Sequence, residues 1–208
     1  MPQIFIYLAM SLFSTTLIAA LPKTMNTASI SPQELQNFSA NSLAVKNLIH
    51  LALNLAEKNL GYLYGSADTK NGGLDCSGTI YYLLNQFNLK DVPRSSESLY
   101  QWVREKGDFH AVHKQQLSSS EFNNLKPGHL LFWGGTYQTK EKVNATHVMI
   151  YIGKNKVGEP LMIGSSDGRT YKGKRVYGVS VFDFQLPKEF SKSKFLGYSC
   201  IPKINCQT

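Results

Sequence analysis

The chain is poor in cysteine. It has three in 208 residues, Cys76 stands alone, and no pair is spaced as CxxC. This excludes a disulfide-built scaffold and a four-cysteine zinc site. Charged residues are scarce too, at 17%, and acidic ones scarcest: fourteen Asp+Glu face twenty-two Lys+Arg, a net charge of +8. The imbalance predicts attraction to anionic partners and says nothing about fold. Internal repeats and low-complexity tracts are missing, so one globular domain is the expectation at this length. Long apolar runs are missing after residue 20, so no later segment is expected to span a membrane.

One apolar run is present, Ile4 to Ala20, without a single charge. It reads as the core of a secretory signal over residues 1–20, with Ala19 and Ala20 at the cleavage point. The alternative is an uncleaved anchor, but the run sits at the short limit for a span, roughly 18–20 residues. The protein is therefore expected in the periplasm or outside the cell, without stable membrane association once the signal is removed. Residues 21–40 are polar, contain Pro22 and Pro32, and read as a linker or loosely attached arm. Residues 41–208 form the expected domain. Outside the cytosol nearby cysteines tend to pair, so Cys200 and Cys206 are expected to close the C-terminal tail.

Helical patterns come first. Asn41 or Ser42 can cap a helix running to about Leu60 and ended by Gly61, with Ala44, Leu48, Leu51, Ala52 and Leu55 on one face. Asp75 precedes a second pattern through Ile80, Leu83, Leu84 and Phe87, and residues 95–106 suit a third helix. Short β-branched or aromatic runs follow at residues 130–133, 148–152, 161–163, 179–184 and 195–200. Helices first and strands later predict an α+β fold with a mostly antiparallel sheet of five to six strands.

Two segments suit nucleophilic chemistry. In Asp75-Cys76-Ser77-Gly78, Asp75 is an N-cap by residue type. Cys76 then falls where unpaired backbone N–H groups would stabilise a thiolate, the reactive form of cysteine. Gly78 leaves room for close approach of a substrate or a packing element. His147 opens the strand His147-Val148-Met149-Ile150-Tyr151-Ile152-Gly153, and alternation puts His147, Met149 and Tyr151 on one face. A histidine at a strand end can face a helix N-terminus and serve as proton acceptor for the thiol. Taken singly, each residue is equally at home as a packed core side chain.

With their flanks these segments resemble the NlpC family of cell-wall cysteine peptidases. Five blocks occur in the family's order: Tyr62-Leu63-Tyr64-Gly65, Asp75 to Gly78, Val92-Pro93-Arg94-Ser95-Ser96, Leu125-Lys126-Pro127-Gly128 followed by Leu130 to Trp133, and Thr146 to Gly153. The likeness covers about residues 45 to 200. It implies a papain-like fold in which Cys76 attacks an amide of the peptidoglycan stem peptide and His147 is the general base. Tyr62 would line the oxyanion or substrate site, with Asp75, Ser77 and Arg94 as further substrate-binding candidates. The family's usual bond joins D-glutamate, through its side-chain carboxyl, to a diamino acid. Stem peptides carry carboxylates, and Arg94, Lys154, Lys156, Arg169, Lys172, Lys174 and Arg175 could supply a basic field for them.

Two departures stand out. His129 occupies the aspartate position of the family's Pro-Gly-Asp and reads as a surface or turn substitution. The position that orients the imidazole lands on Gly164, leaving Ser166 as orienter, with Asp167 as the alternative. His110 and His113 lack a third ligand, so neither a metal nor another cofactor is expected. The basic residues form no nucleic-acid motif, and a monomer is expected. Two other functions stay open: a non-catalytic wall-binding protein retaining the fold, and a Cys–His amidase on another substrate, such as an antibacterial toxin.

Overall fold

Apolar spacing and polar caps set the helices. A computed structural model describes residues 26–204. The apolar run at residues 4–20 and the Cys206 half of the expected disulfide lie outside the described residues.

Helix α1 spans Leu43–Ala56, capped by Ser42, whose hydroxyl accepts from the Val45 N–H. Its buried stripe is Val45, Leu48, Ile49, Ala52, Leu53, Leu55 and Ala56. Each fully buried aliphatic side chain there contributes about 1.5–3 kcal/mol. The helix stops short of Gly61, because Asn59 already takes the left-handed conformation, at φ 52°. Gly61–Tyr62 (β1) then pairs in parallel with Gly73–Leu74 (β2). Helix α2 is Cys76–Gln86 and α3 is Ser96–Lys106.

Six further strands form one antiparallel sheet: β3 Phe109–Ala111, β4 Leu130–Gly134, β5 His147–Lys154, β6 Pro160–Tyr171, β7 Lys174–Asp183 and β8 Lys194–Ser199. Their order is β3-β8-β4-β5-β6-β7, which is the expected α+β, papain-like arrangement. Alternation gives the sheet two buried faces. Phe132, Val148, Ile150, Ile163 and Val181 pack with the helices. Trp133, Met149, Tyr151, Met162, Phe184 and Phe195 fill the other side. His147 falls on this second face, beside Trp133.

Residues 26–40, read as a loose arm, run instead along the outer margin of the sheet. The Tyr177 and Val181 N–H groups donate to the Asn26 and Ala28 carbonyls, and the Ser180 hydroxyl accepts from the Ala28 N–H. Leu35, 2% exposed, bridges to Asn155 at the β5–β6 turn. The arm thereby satisfies the unpaired backbone of an edge strand.

His129 is not a surface residue. It is 5% exposed and stacks on Tyr198 with ring centroids 5.4 Å apart, and its Nδ1 accepts from the Lys126 N–H. It thus closes the Lys126–His129 turn with a side-chain acceptor, as an aspartate could. Burial pushes its pKa down from 6.5 to about 4, with neighbouring His110 adding to the effect. The unfolded chain therefore takes up this proton at higher pH than the folded one. The stability His129 contributes as a neutral ring is complete above its unfolded pKa and is lost as pH falls toward its folded one. A loss of about 3 kcal/mol is expected across that window. Denaturant titrations at several pH values check it, and His129→Asn should flatten the slope.

Candidate active site

The site begins with a helix cap. Asp75 Oδ1 accepts from the Gly78 N–H at 2.5 Å, and Oδ2 accepts from the Gly65 N–H at 2.8 Å. Arg94 grips the same carboxylate with both arms, Nη1 to Oδ1 at 3.0 Å and Nη2 to Oδ2 at 2.9 Å. Ser77 Oγ donates to Asp75 Oδ1 and accepts from Arg94 Nη1. Asp75, Ser77 and Arg94, expected as substrate-binding residues, are therefore joined to one another. Their polar atoms are used in holding the start of α2 to the loop before it. Gly78 is required here by a packing element: a Cβ would stand 2.0 Å from the Ser66 carbonyl oxygen.

This clamp places Cys76 on the first turn of α2, 6% exposed. Its sulfur has polar company. Ser96 Oγ lies 3.4 Å away, and the backbone N–H groups of Val148 and Ser77 are close enough to favour its charged form. Burial nevertheless pushes the thiol above its usual pKa, and the Asp75 carboxylate adds to the rise. The free protein holds a thiol.

His147 approaches from the other side of β5. Its backbone is pinned from α3: Glu97 accepts from the Asn144 and Ala145 N–H groups at 2.8 and 2.7 Å, just ahead of the strand. The Val148 N–H near the sulfur belongs to the peptide joining residues 147 and 148, so the sulfur lies beside the start of β5 on the helix side, while the His147 ring turns to Trp133 on the other face. The imidazole is 7% exposed and packs on Trp133 at 5.7 Å. No hydrogen bond joins it to the thiol among the described residues. Burial lowers the imidazole pKa well below the ordinary histidine value, and the charge of Arg169 lowers it further. In the free protein the pair rests as neutral thiol and neutral imidazole.

His147 Nε2 is sealed from solvent without a hydrogen-bond partner, and so is Nε1 of the adjoining Trp133. The pairing Ile150↔Ile163, continued three residues, sets Ser166 opposite His147 and Gly164 opposite Met149. A Cβ on Gly164 would stand 3.0 Å from Met149 Cγ. Ser166 is buried and Asp167 exposed, and neither hydrogen-bonds Nε2. At Gly164, where the resemblance places the orienter, no side chain is present to reach the imidazole.

His147, Ser166 and Asp167 line one cleft of about 900 Å³ with Tyr62, Tyr137 and Arg169. Ser96 and Ala145 line a second, of about 790 Å³. Tyr64 and Tyr137 border both and meet edge to face with centroids 6.2 Å apart. Tyr62 has its phenol pushed above the ordinary value by burial and then by the neighbouring Cys76. Burial likewise raises Tyr137 to about 12. Both stay proton donors at neutral pH, suited to an oxygen that gains negative charge. Sequence reading missed Tyr137, Ser96 as the thiol's partner, and the position of Arg169. Ser96 could have been found in the Pro-Arg-Ser-Ser block, whereas nothing local marks Tyr137. Among the described residues no cluster of three or more His, Cys, Asp or Glu could hold a metal ion.

The model of the NlpC/P60 family matches residues 59–175, more than half of the chain. Murein DD-endopeptidase MepH of Escherichia coli (strain K12) is 26% identical over 119 residues, 56% of this chain and 38% of the relative. Gamma-DL-glutamyl hydrolase of Bacillus subtilis (strain 168) is 32% identical over 142 residues, 64% of this chain and 30% of the relative. The probable endopeptidase YafL of Escherichia coli (strain K12) is 24% identical over 162 residues, 77% of this chain and 53% of the relative. The chain thus spans between about a third and about half of the length of these relatives.

Proposed function

The chain belongs to the NlpC/P60 family, and from that premise we propose that it is an exported cysteine peptidase hydrolysing amide bonds in peptidoglycan stem peptides. The observation that carries the reading is the placement of Cys76. Cys76, the free thiol among the described residues, sits on the first turn of a helix, near backbone N–H groups and beside the peptide that follows His147.

The chemistry follows from those neighbours. Substrate enters between the clefts, and the thiol gives its proton to His147. The sulfur adds to the amide carbonyl, and the developing oxyanion is met by N–H groups at the helix start and by the Tyr62 hydroxyl. His147 then returns the proton to the leaving amine, and water releases the acyl group. The bond we favour joins D-glutamate, through its side chain, to a diamino acid. The relative named a gamma-DL-glutamyl hydrolase supports it, whereas the relative named a DD-endopeptidase favours the cross-link instead.

Mass spectrometry of sacculi digested with the purified protein tests the reading. Shortened muropeptides are expected, and their masses assign the bond. Intact muropeptides from folded protein would overturn it.

The partnerless Nε2 and the bare Gly164 favour one second reading, a wall-binding protein that kept the fold without turnover. Stoichiometric labelling of Cys76 by an alkylating probe, together with muropeptide release, excludes it. Wall binding with an inert thiol and no release would establish it.

A further inference from the structure

Arg169 is a half-buried cation that the clamp and the thiol leave unused. It follows a bulge in the β6–β7 ladder between Ser166 and Arg169, where Gly168 takes φ 144°. The bulge turns its guanidinium onto the indole of Trp133, 4.5 Å from the ring centroid. Trp133 stands opposite His147 in the β4–β5 register and packs on its ring. Arg169 and His147 both line the larger cleft, and the buried indole of Trp133 behind them touches both, tilted 57° to the imidazole.

Among the described residues no ion pair neutralises this cation, and Asp167 acts on it only from beyond ion-pair distance. The ion pairs among the described residues are Arg94–Asp75 and His110–Asp108, and no carboxylate hydrogen-bonds Arg169. Burial brings its pKa down to about 10, against the pull of Cys76 and Asp167, so it keeps its charge at neutral pH. Partly withdrawing a guanidinium from water without a hydrogen-bonded counterion has a cost. Stacking fixes the plane of the group and occupies a face, leaving its N–H fork for the cleft. The ligand that fits such a fork is a carboxylate held by two parallel hydrogen bonds.

We propose that Arg169 binds a substrate carboxylate carried by one of the two residues flanking the scissile amide, and that the protein discriminates against substrates amidated there. This rests on the peptidase reading above and adds to it. It also supplies a trigger. The positive charge of Arg169 disfavours imidazolium at His147, so a docked carboxylate offsets that charge and lets the imidazole accept the Cys76 proton. Recognition and activation share one side chain.

The test uses synthetic tripeptides L-Ala-γ-D-Glu-diamino acid in three forms: both flanking carboxylates free, the glutamyl α-carboxylate converted to carboxamide, and the diamino acid carboxylate converted to carboxamide. The wild-type protein should lose roughly ten- to hundred-fold in kcat/KM on one carboxamide form, the worth of a charge-assisted hydrogen-bond pair. That form identifies which carboxylate is read. In Arg169→Met, whose chain keeps the packing on the indole, the ratio should fall to within about threefold, and Arg169→Lys should retain part of it. Equal hydrolysis of all three peptides by wild type overturns the proposal while leaving the peptidase reading intact. So does discrimination that survives in Arg169→Met. Hydrolysis of none would instead count against the peptidase reading. Calorimetric binding of the same peptides to Cys76→Ala then decides the carboxylate question alone: equal affinities for the free and carboxamide forms reject it.

Discussion

Replacing Cys76 by alanine should lower kcat/KM on stem peptides by about 10⁴-fold or more while leaving the melting temperature within a few degrees. The two halves of this expectation have separate causes. The sulfur is the nucleophile in the proposed cycle, and no neighbour can replace it: Ser96 Oγ, 3.4 Å away, is a hydroxyl without a base. The fold loses little, because the helix start is held by Asp75, Arg94 and Ser77 and not by the thiol. Burial also holds the thiol in its protonated form, so removing it unpairs no charge. Steady-state hydrolysis and differential scanning calorimetry measure the two halves. Turnover within tenfold of wild type would remove Cys76 from the mechanism.

Removing Asp75 should have the opposite profile, with stability falling first. The carboxylate caps α2, accepts from the Gly65 N–H and pairs with both arms of Arg94. A lost cap costs about 1 kcal/mol, and stranding the partner of a buried ion pair costs about 3–5. Arg94 is 36% exposed, so water recovers part of the second cost. A net destabilisation of about 3 kcal/mol is expected for Asp75→Ala, a fall of roughly 6–12 °C in Tm. Asp75→Asn keeps the cap acceptor and loses the charge, and it should fall about halfway. Activity below the melting transition should drop in both variants, because the clamp sets where the sulfur stands. Thermal melts check the order wild type above Asp75→Asn above Asp75→Ala.

The helices, and the place of Cys76 at the start of one, were legible in the sequence because their signals are local. A cap, a 3.6-residue period and a closing Asn or Gly lie within one short window. The His147 strand was legible by strict alternation, and its face was assigned correctly. Other parts depend on residues far apart. The second half of β6, Ser165 to Tyr171, carries no apolar alternation and is held instead by its pairing with β7. The hairpin between them turns on Lys172 and Gly173, both at positive φ. Three-residue β3 exists only through β8. His129 reads as a turn residue because its burial comes from Tyr198. Arg94 and Asp75, nineteen positions apart, reveal their pairing only when α2 and the segment before α3 come together. Arg169 was visible as one basic residue among several. Its stack needs the bulge and the indole two strands away.

The arm along β7 has a consequence for handling the protein. It acts as a hem sewn onto the outermost strand through Asn26 and Ala28. Forms that start after Leu35 would bare the Tyr177 and Val181 N–H groups on either side of Val179, which stays paired with the Leu60 carbonyl, and a sister molecule could bond there. Such forms should self-associate in sizing columns, whereas chains starting at or before Asn26 keep that seam closed.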